Sequence, residues 1–230
     1  MHRVLDLPLD IIPAWIKGNR LKILMYHSIS VNPLDPNAVS PKDFRRQMQL
    51  LQIKKVVSLQ DGLQHMGAGN SLYNLYVITF DDALLDFYVN AVPILQEFGY
   101  PVTMFVPTGL VGQYARWDSY DNSKPLMTWR QMEECQQWNV TFASHTVDHV
   151  RLTECSDLTL IHELQISMYM LQTKLERVIS ALAYPGGYHD ARIRQATSTV
   201  GYLYGLGASS RWGNGPESDF FQLRRQRFNP

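Results

Sequence analysis

The sequence predicts a single α/β domain with parallel strands, arranged as a barrel or as an open sheet. Three observations predict it. The chain has 230 residues, 45% of them hydrophobic, enough for one sizeable core. Runs rich in β-branched and aromatic residues alternate with runs whose apolar residues recur at helical spacing, as expected of parallel strands joined by helical crossovers. The polar residues best suited to chemistry fall just past predicted strands, and the C-terminal strand ends carry the sites of barrels and open parallel sheets.

The elements follow in order. Lys22 to Tyr26 (KILMY) reads as a buried strand. Ser40 then caps a helix, with Pro41 at its first position, Asp43 in its first turn, and Phe44, Met48 and Leu51 on one face. Val56 to Leu59 reads as a short strand, and Gly67 to Ser71 as a loop. Tyr76 to Phe80 (YVITF) is a strand that runs into Asp81-Asp82. Leu84 to Phe98 is helical, kinked at Pro93 and stopped by Gly99. Val102 to Val106 is the next strand, followed by a long polar connection over 107–127 of the kind that often carries function. Thr128 to Trp138 is a short helix and Val140 to Ala143 a strand. Ser156 caps a helix drawn through Val178, with Leu164, Met168, Leu171, Leu175 and Val178 on one face. Ala181 to Tyr184 is a strand ended by Pro185-Gly186-Gly187, Arg192 to Val200 a helix, and Tyr202 to Leu206 a strand. There is no internal repeat and no linker: residues 1–21 read as an N-terminal extension and 22–230 as one domain.

Composition narrows the function. With 21 basic and 21 acidic residues the chain is neutral, which disfavours nucleic acid as a partner. Arg224, Arg225 and Arg227 form a local cluster, read as an anion site or as a solvated C-terminal stretch. The two cysteines, Cys135 and Cys155, form no CxxC and no disulfide framework, and read as small packed positions. No apolar run spans a bilayer. The N-terminus lacks the form of a secretion signal, because Asp6, Pro8, Asp10 and Pro13 interrupt its apolar residues. The expectation is a cytoplasmic protein, or an extracytoplasmic one if the N-terminus is incomplete. Leu7, Leu9, Ile11, Ile12, Trp15 and Ile16 could touch a membrane surface peripherally or pack on the protein itself.

His145 and His149 stand four apart, a spacing that on a helical turn puts both imidazoles on one face. Two histidines with a carboxylate make a common shell for a divalent transition metal. Asp81 and Asp82 are adjacent, so at a strand end one could face a metal while the other faces a bound water. Taken singly, a HxxxH pair is often unrelated to metal, an Asp pair is often a turn or cap, and Pro-Gly-Gly is often an ordinary turn.

Taken together these segments resemble a known family. Thr79-Phe80-Asp81-Asp82 resembles the first motif of the polysaccharide deacetylases, the NodB-homology or carbohydrate esterase 4 family, and His145-Thr146-Val147-Asp148-His149 resembles its second. Asn90 to Leu95, Gly99 to Val106, Thr128-Trp129 and Leu152 agree with its flanks. Leu24-Met25-Tyr26-His27 and Ala183-Tyr184-Pro185-Gly186-Gly187 resemble the branch that includes poly-N-acetylglucosamine deacetylases. The resemblance covers about Lys22 to Phe228. It implies a distorted (β/α) barrel of about seven strands. It also implies a divalent metal, zinc or else nickel or cobalt, held by Asp82, His145 and His149. Asp81 would act as general base on a metal-bound water, and Gly186 would offer a backbone N–H to the oxyanion.

Two departures from the family pattern stand out. Ala183 occupies the approximate place of an arginine that orients the catalytic aspartate, which leaves Asp81 without that partner. The Leu-x-His motif of the leaving-group acid is missing, since Leu223-Arg224-Arg225 stands near the C-terminus. Asp81 acting twice, His27 or His189 could supply the acid, with His27 on the barrel rim. Tyr184, Pro185, Tyr188 and Trp212, with Trp117, lie in or near predicted rim loops and are candidate sugar contacts. The expected reaction is removal of acetyl groups from N-acetylated sugars of a poly- or oligosaccharide. The rivals are amide hydrolysis of a small non-sugar substrate on the same fold, and a carbohydrate-binding pseudoenzyme.

Overall fold

The structure, a computed structural model, describes residues 18–117, 123–208 and 213–228. Seven parallel strands form the barrel: β1 (Lys22–Tyr26), β2 (Leu75–Phe80), β3 (Val102–Val106), β4 (Val140–Ser144), β5 (Ala181–Ala183), β6 (Tyr204–Leu206) and β7 (Arg225–Gln226). Their spatial order is β7-β1-β2-β3-β4-β5-β6, and a Leu206–Leu223 bridge nearly closes the ring between β6 and β7. This is the distorted barrel of about seven strands that the resemblance implied. The strand Lys55–Val56 adds beside the start of β2, before β3 begins to pair with it at Ile78.

Side-chain parity organises the barrel. On β1 to β5 and toward β7 the odd-numbered positions face inward: Ile23, Val77, Phe105, Ala143, Ala181, Ala183 and Leu223 share one buried cluster, which Leu206 joins from β6, where the even positions face in. Even-numbered positions such as Leu24, Ile78, Met104, Phe142 and Leu182 face the helices and make the larger core. The same parity carries His27, Asp81, His145 and Arg225 inward at the C-terminal strand ends.

The helices are α1 (Pro41–Leu50), α2 (Leu59–Gly67), α3 (Val92–Phe98), α4 (Trp129–Cys135), α5 (Asp157–Leu175) and α6 (Ala191–Val200). Ser40 caps α1, Thr128 and Gln131 close a capping box on α4, and Ser156 caps α5. Gly99 ends α3 in the left-handed conformation, after a π-type turn over Phe87–Ala91 that precedes Pro93. Three expectations are corrected. Leu59 opens a helix rather than ending a strand, because Ser58 caps α2; Gly62 sits mid-helix, where a Cβ would come within 3.0 Å of Val77 and 3.1 Å of Leu21. Helix α5 stops at Leu175, where Glu176 turns left-handed, so Val178 is exposed rather than on the packed face. The C-terminal stretch expected to be solvated contains β7.

No helix among the described residues is long and apolar enough to cross a membrane. Both cysteines are free thiols. The apolar N-terminal residues proposed for membrane contact, like Trp212, lie outside the described residues.

Candidate active site

At the C-terminal strand ends a cavity of about 230 Å³ is lined by His27, Asp81, Asp82, His145, His149, Gly186, Arg225 and their neighbours. A larger cavity, about 460 Å³, opens at the opposite strand ends beside Thr103, Thr141 and Ser180. Among the described residues no carboxylate, histidine or thiol lines that one, whereas carboxylates and histidines gather at the smaller site.

Asp81 continues the inward parity of β2. Asp82 should then point away, but its φ of 75° and that of Ala83, 50°, turn the chain left-handed and bring both carboxylates to one cavity. Non-glycine residues seldom adopt this conformation, and of the seven described here that do, Asp82, Ala83, Thr146 and His149 lie at this site.

The histidines also meet through a strained turn. Residues 145–149 form a loop, not the helical turn that the spacing suggested. Thr146 (φ 68°) and His149 (φ 57°) are left-handed, Ser144 Oγ accepts from the Thr146 amide (3.2 Å), and Thr146 Oγ1 accepts from the His149 amide (3.1 Å). His145 Nδ1 lies 2.8 Å from the Ala183 carbonyl, to which it donates in the tautomer that leaves Nε2 facing Asp82. The indole of Trp117 stacks on the His149 ring, centroids 4.0 Å apart. Trp117 thus touches a site histidine from its rim loop.

The three side chains fit a cation. Asp82 Oδ1 lies 3.5 Å from His145 Nε2 and 3.3 Å from His149 Nε2. Yet buried Asp82 Oδ1 and His149 Nδ1 have no hydrogen-bond partner among the described residues, a costly arrangement unless something else satisfies them. One donor atom from each residue falls within 4.8 Å of the others, and a carboxylate with two imidazoles is a transition-metal donor set. Burial pushes the Asp82 carboxyl up, but its contacts with the two imidazoles prevail and hold it well below the usual range.

Asp81 has the arginine partner that the sequence appeared to lack. Arg225, from β7, donates from Nη1 to Oδ1 (2.5 Å) and from Nη2 to Oδ2 (2.7 Å), a two-pronged clamp on a carboxylate only 3% exposed. Arg225 Nε donates to the Gly207 carbonyl (3.1 Å), and its guanidinium lies over the Phe105 ring. Burial alone would raise Asp81; the charges of Arg225 and His145 and the clamp outweigh it and lower its pKa, so the carboxylate stays ionised. The Arg224–Arg227 stretch therefore divides. Arg225 is core, Arg224 is exposed, and exposed Arg227 reaches the Pro36 carbonyl and Asn37 on the cavity rim.

The other candidate positions separate as clearly. His27 Nε2 stands 3.9 Å from Asp81 Oδ2, with its side chain 19% exposed in the cavity. His189 lies outside the cavity lining, packed against Tyr184 and beside Arg194; burial and that arginine lower its pKa. Gly186 lines the cavity in the left-handed conformation (φ 64°). Tyr184 is corrected from sugar contact to core: it is fully buried, and its hydroxyl donates to the Phe221 carbonyl. Pro185 is likewise buried and outside the cavity lining. Tyr188 is exposed beyond that lining, under the Arg151 guanidinium.

The polysaccharide deacetylase family model matches residues 70–205, well over half of the chain, and the chain belongs to that family. Among solved structures, the Streptococcus pyogenes deacetylase PplD, in complex with acetate, is 28% identical and superposes with a TM-score of 0.79, covering 91% of this chain and 92% of that one. IcaB from Ammonifex degensii shares the fold (TM-score 0.81, 23% identity, 93% of each chain). The poly-β-1,6-N-acetyl-D-glucosamine N-deacetylase of Staphylococcus aureus (strain MSSA476) is 24% identical over 216 residues, 89% of this chain and 73% of that protein.

Proposed function

We propose that the chain hydrolyses the acetamido group of N-acetylated sugars in a poly- or oligosaccharide, with a divalent metal, zinc foremost, held by Asp82, His145 and His149. The observation that carries this is one cavity holding a cation-fitting triad beside a separately clamped carboxylate. A bound divalent cation would supply Lewis acidity toward the acetyl carbonyl and make a water easier to deprotonate.

The chain's own groups do the rest. Asp81 takes a proton from the attacking water, whose oxygen bonds to the acetyl carbon. The Arg225 clamp keeps that carboxylate ionised and fixes the direction of its oxygens. Gly186, left-handed on the cavity wall, offers its backbone N–H to the developing oxyanion. His27, beside Asp81 and open to the cavity, protonates the departing nitrogen as the C–N bond breaks, giving acetate and a free amine. The family and its named relatives support a sugar substrate over a small amide, and the Arg225 clamp removes one of the two grounds for a pseudoenzyme.

Acetate release from N-acetylglucosamine oligomers by the zinc-loaded protein tests the proposal. Asp81→Asn should keep zinc and lose turnover. Unchanged turnover in that variant refutes the base, and a zinc-loaded wild type that releases no acetate from any N-acetylated oligosaccharide refutes the reaction.

A further inference from the structure

We infer that Glu163, which makes no direct contact with the cavity, is the positioning residue that sets the metal-binding geometry of His149; the inference rests on the metal triad proposed above. Glu163 lies on α5 between Leu160 and Leu164, on a face that otherwise packs into the core. It is only 3% exposed, and a carboxylate so buried is costly unless it is paired or strongly hydrogen-bonded. It is satisfied by the loop between the two histidines. One oxygen, Oε2, accepts from the Val147 amide at 2.8 Å and from the Asp148 amide at 3.0 Å. Hydrogen bonds to an ionised acceptor are about twice as strong as neutral ones.

The opposite side of the loop is held as tightly. The Thr108 amide donates to the Thr146 carbonyl (3.0 Å) and the Gly109 amide to the Val147 carbonyl (2.9 Å). Gly109 allows this approach, since a Cβ there would come within 2.8 Å of Val147 and 2.9 Å of Asp148. With the Ser144 and Thr146 hydroxyls on the Thr146 and His149 amides, every backbone N–H from 146 to 149 has a fixed acceptor. Glu163 supplies two of those four and is the only charged one. The left-handed residues Thr146 and His149 flank the amides it holds, so its carboxylate opposes relaxation of the strain that aims His149 at Asp82.

The test compares Glu163→Gln and Glu163→Asp with Leu160→Ala, a packing control one turn away on the same helix. Zinc affinity is measured by competition with a chromophoric chelator, and amide hydrogen exchange on the metal-free proteins. Both Glu163 variants should weaken zinc binding about 10- to 100-fold, the range typical of residues that orient metal ligands. Both should also speed exchange at Val147 and Asp148 at least about tenfold, whereas Leu160→Ala lowers stability with zinc affinity within about threefold of wild type. Zinc affinity unchanged in the Glu163 variants, or lowered no more than in Leu160→Ala, overturns the inference. So does rapid exchange at Val147 and Asp148 in the wild type, which needs no variant to fold. A wild type that binds zinc but releases no acetate refutes the deacetylase reading and leaves Glu163 in its role.

Discussion

Arg225→Met should be the most damaging single substitution for the fold near the site. It removes the cation from a pair in which both partners are buried, leaving an ionised Asp81 in a low-dielectric interior. Breaking such a pair from one side costs about 3–5 kcal/mol. The Gly207 carbonyl also loses the Arg225 Nε–H. In a domain of this size about 1 kcal/mol moves Tm by roughly 2–4 °C, so the metal-free variant should melt about 6–20 °C lower. Removing both charges should undo most of this, since apolar replacement of a buried pair is often neutral. Arg225→Met with Asp81→Leu should therefore recover to within about 2 kcal/mol of wild type, although both variants are inactive. Thermal denaturation of the four proteins of this cycle, without metal, gives the coupling directly. A loss below about 1 kcal/mol in Arg225→Met, or a double variant as unstable as the sum of its parts, refutes the account of the pair.

Three further outcomes follow from the geometry. Gly187→Ala should cost more stability in urea than Gly186→Ala: both positions have positive φ, but a Cβ at 187 meets Ala208 at 2.4 Å, whereas at 186 it meets only the exposed Tyr188 ring. Equal losses would contradict this. Burial raises the Asp86 carboxyl against the hydrogen bonds from Ser28 and Ile29. A folded pKa above the unfolded value of about 3.9 means its contribution is greatest below that pH and falls as pH rises through the folded pKa. Asp86→Asn should therefore gain in Tm relative to wild type between pH 4 and pH 8, and a constant difference contradicts the burial argument. Zinc at a hundredfold excess over its Kd should stabilise the wild type by about 2.7 kcal/mol, raising Tm by roughly 5–11 °C. His149→Ala should lose that rise, and a rise retained in full would remove His149 from the metal shell.

Much of the site is legible in the sequence. Asp81, Asp82, His145 and His149 follow strands whose branched and aromatic residues are plain in the sequence, and all four line one cavity. Arg225 was not legible. Three arginines in four residues near the C-terminus look like solvated charge, and the pairing joins positions 144 apart through a two-residue strand with no propensity signal. One clue was available: Leu223 and Arg225 share the odd parity of the inward-facing positions on β1 to β5. The histidine spacing suggested a helix, because i, i+4 describes equally well a loop bent by two left-handed residues, and φ cannot be read from Thr or His. Glu163 hid in an apolar stripe, where a charged residue counts against the pattern instead of naming its partner. Helix α2 is hard to read from sequence: Gly62 lowers helix propensity, while its lack of a side chain is what lets the helix close against Leu21 and Val77.

The clamp on Asp81 also has a consequence in time. The carboxylate and its guanidinium are 144 positions apart, and translation at about 5–20 residues per second separates their synthesis by roughly 7–29 s. Throughout that interval β1 has no neighbour on its β7 side, and Asp81 is without the guanidinium that clamps it. A nascent or prematurely terminated chain ending before Arg225 carries Asp82, His145 and His149 but not the clamp on Asp81. On the mechanism proposed above, hydrolytic competence is thereby withheld until the last strand seals the ring.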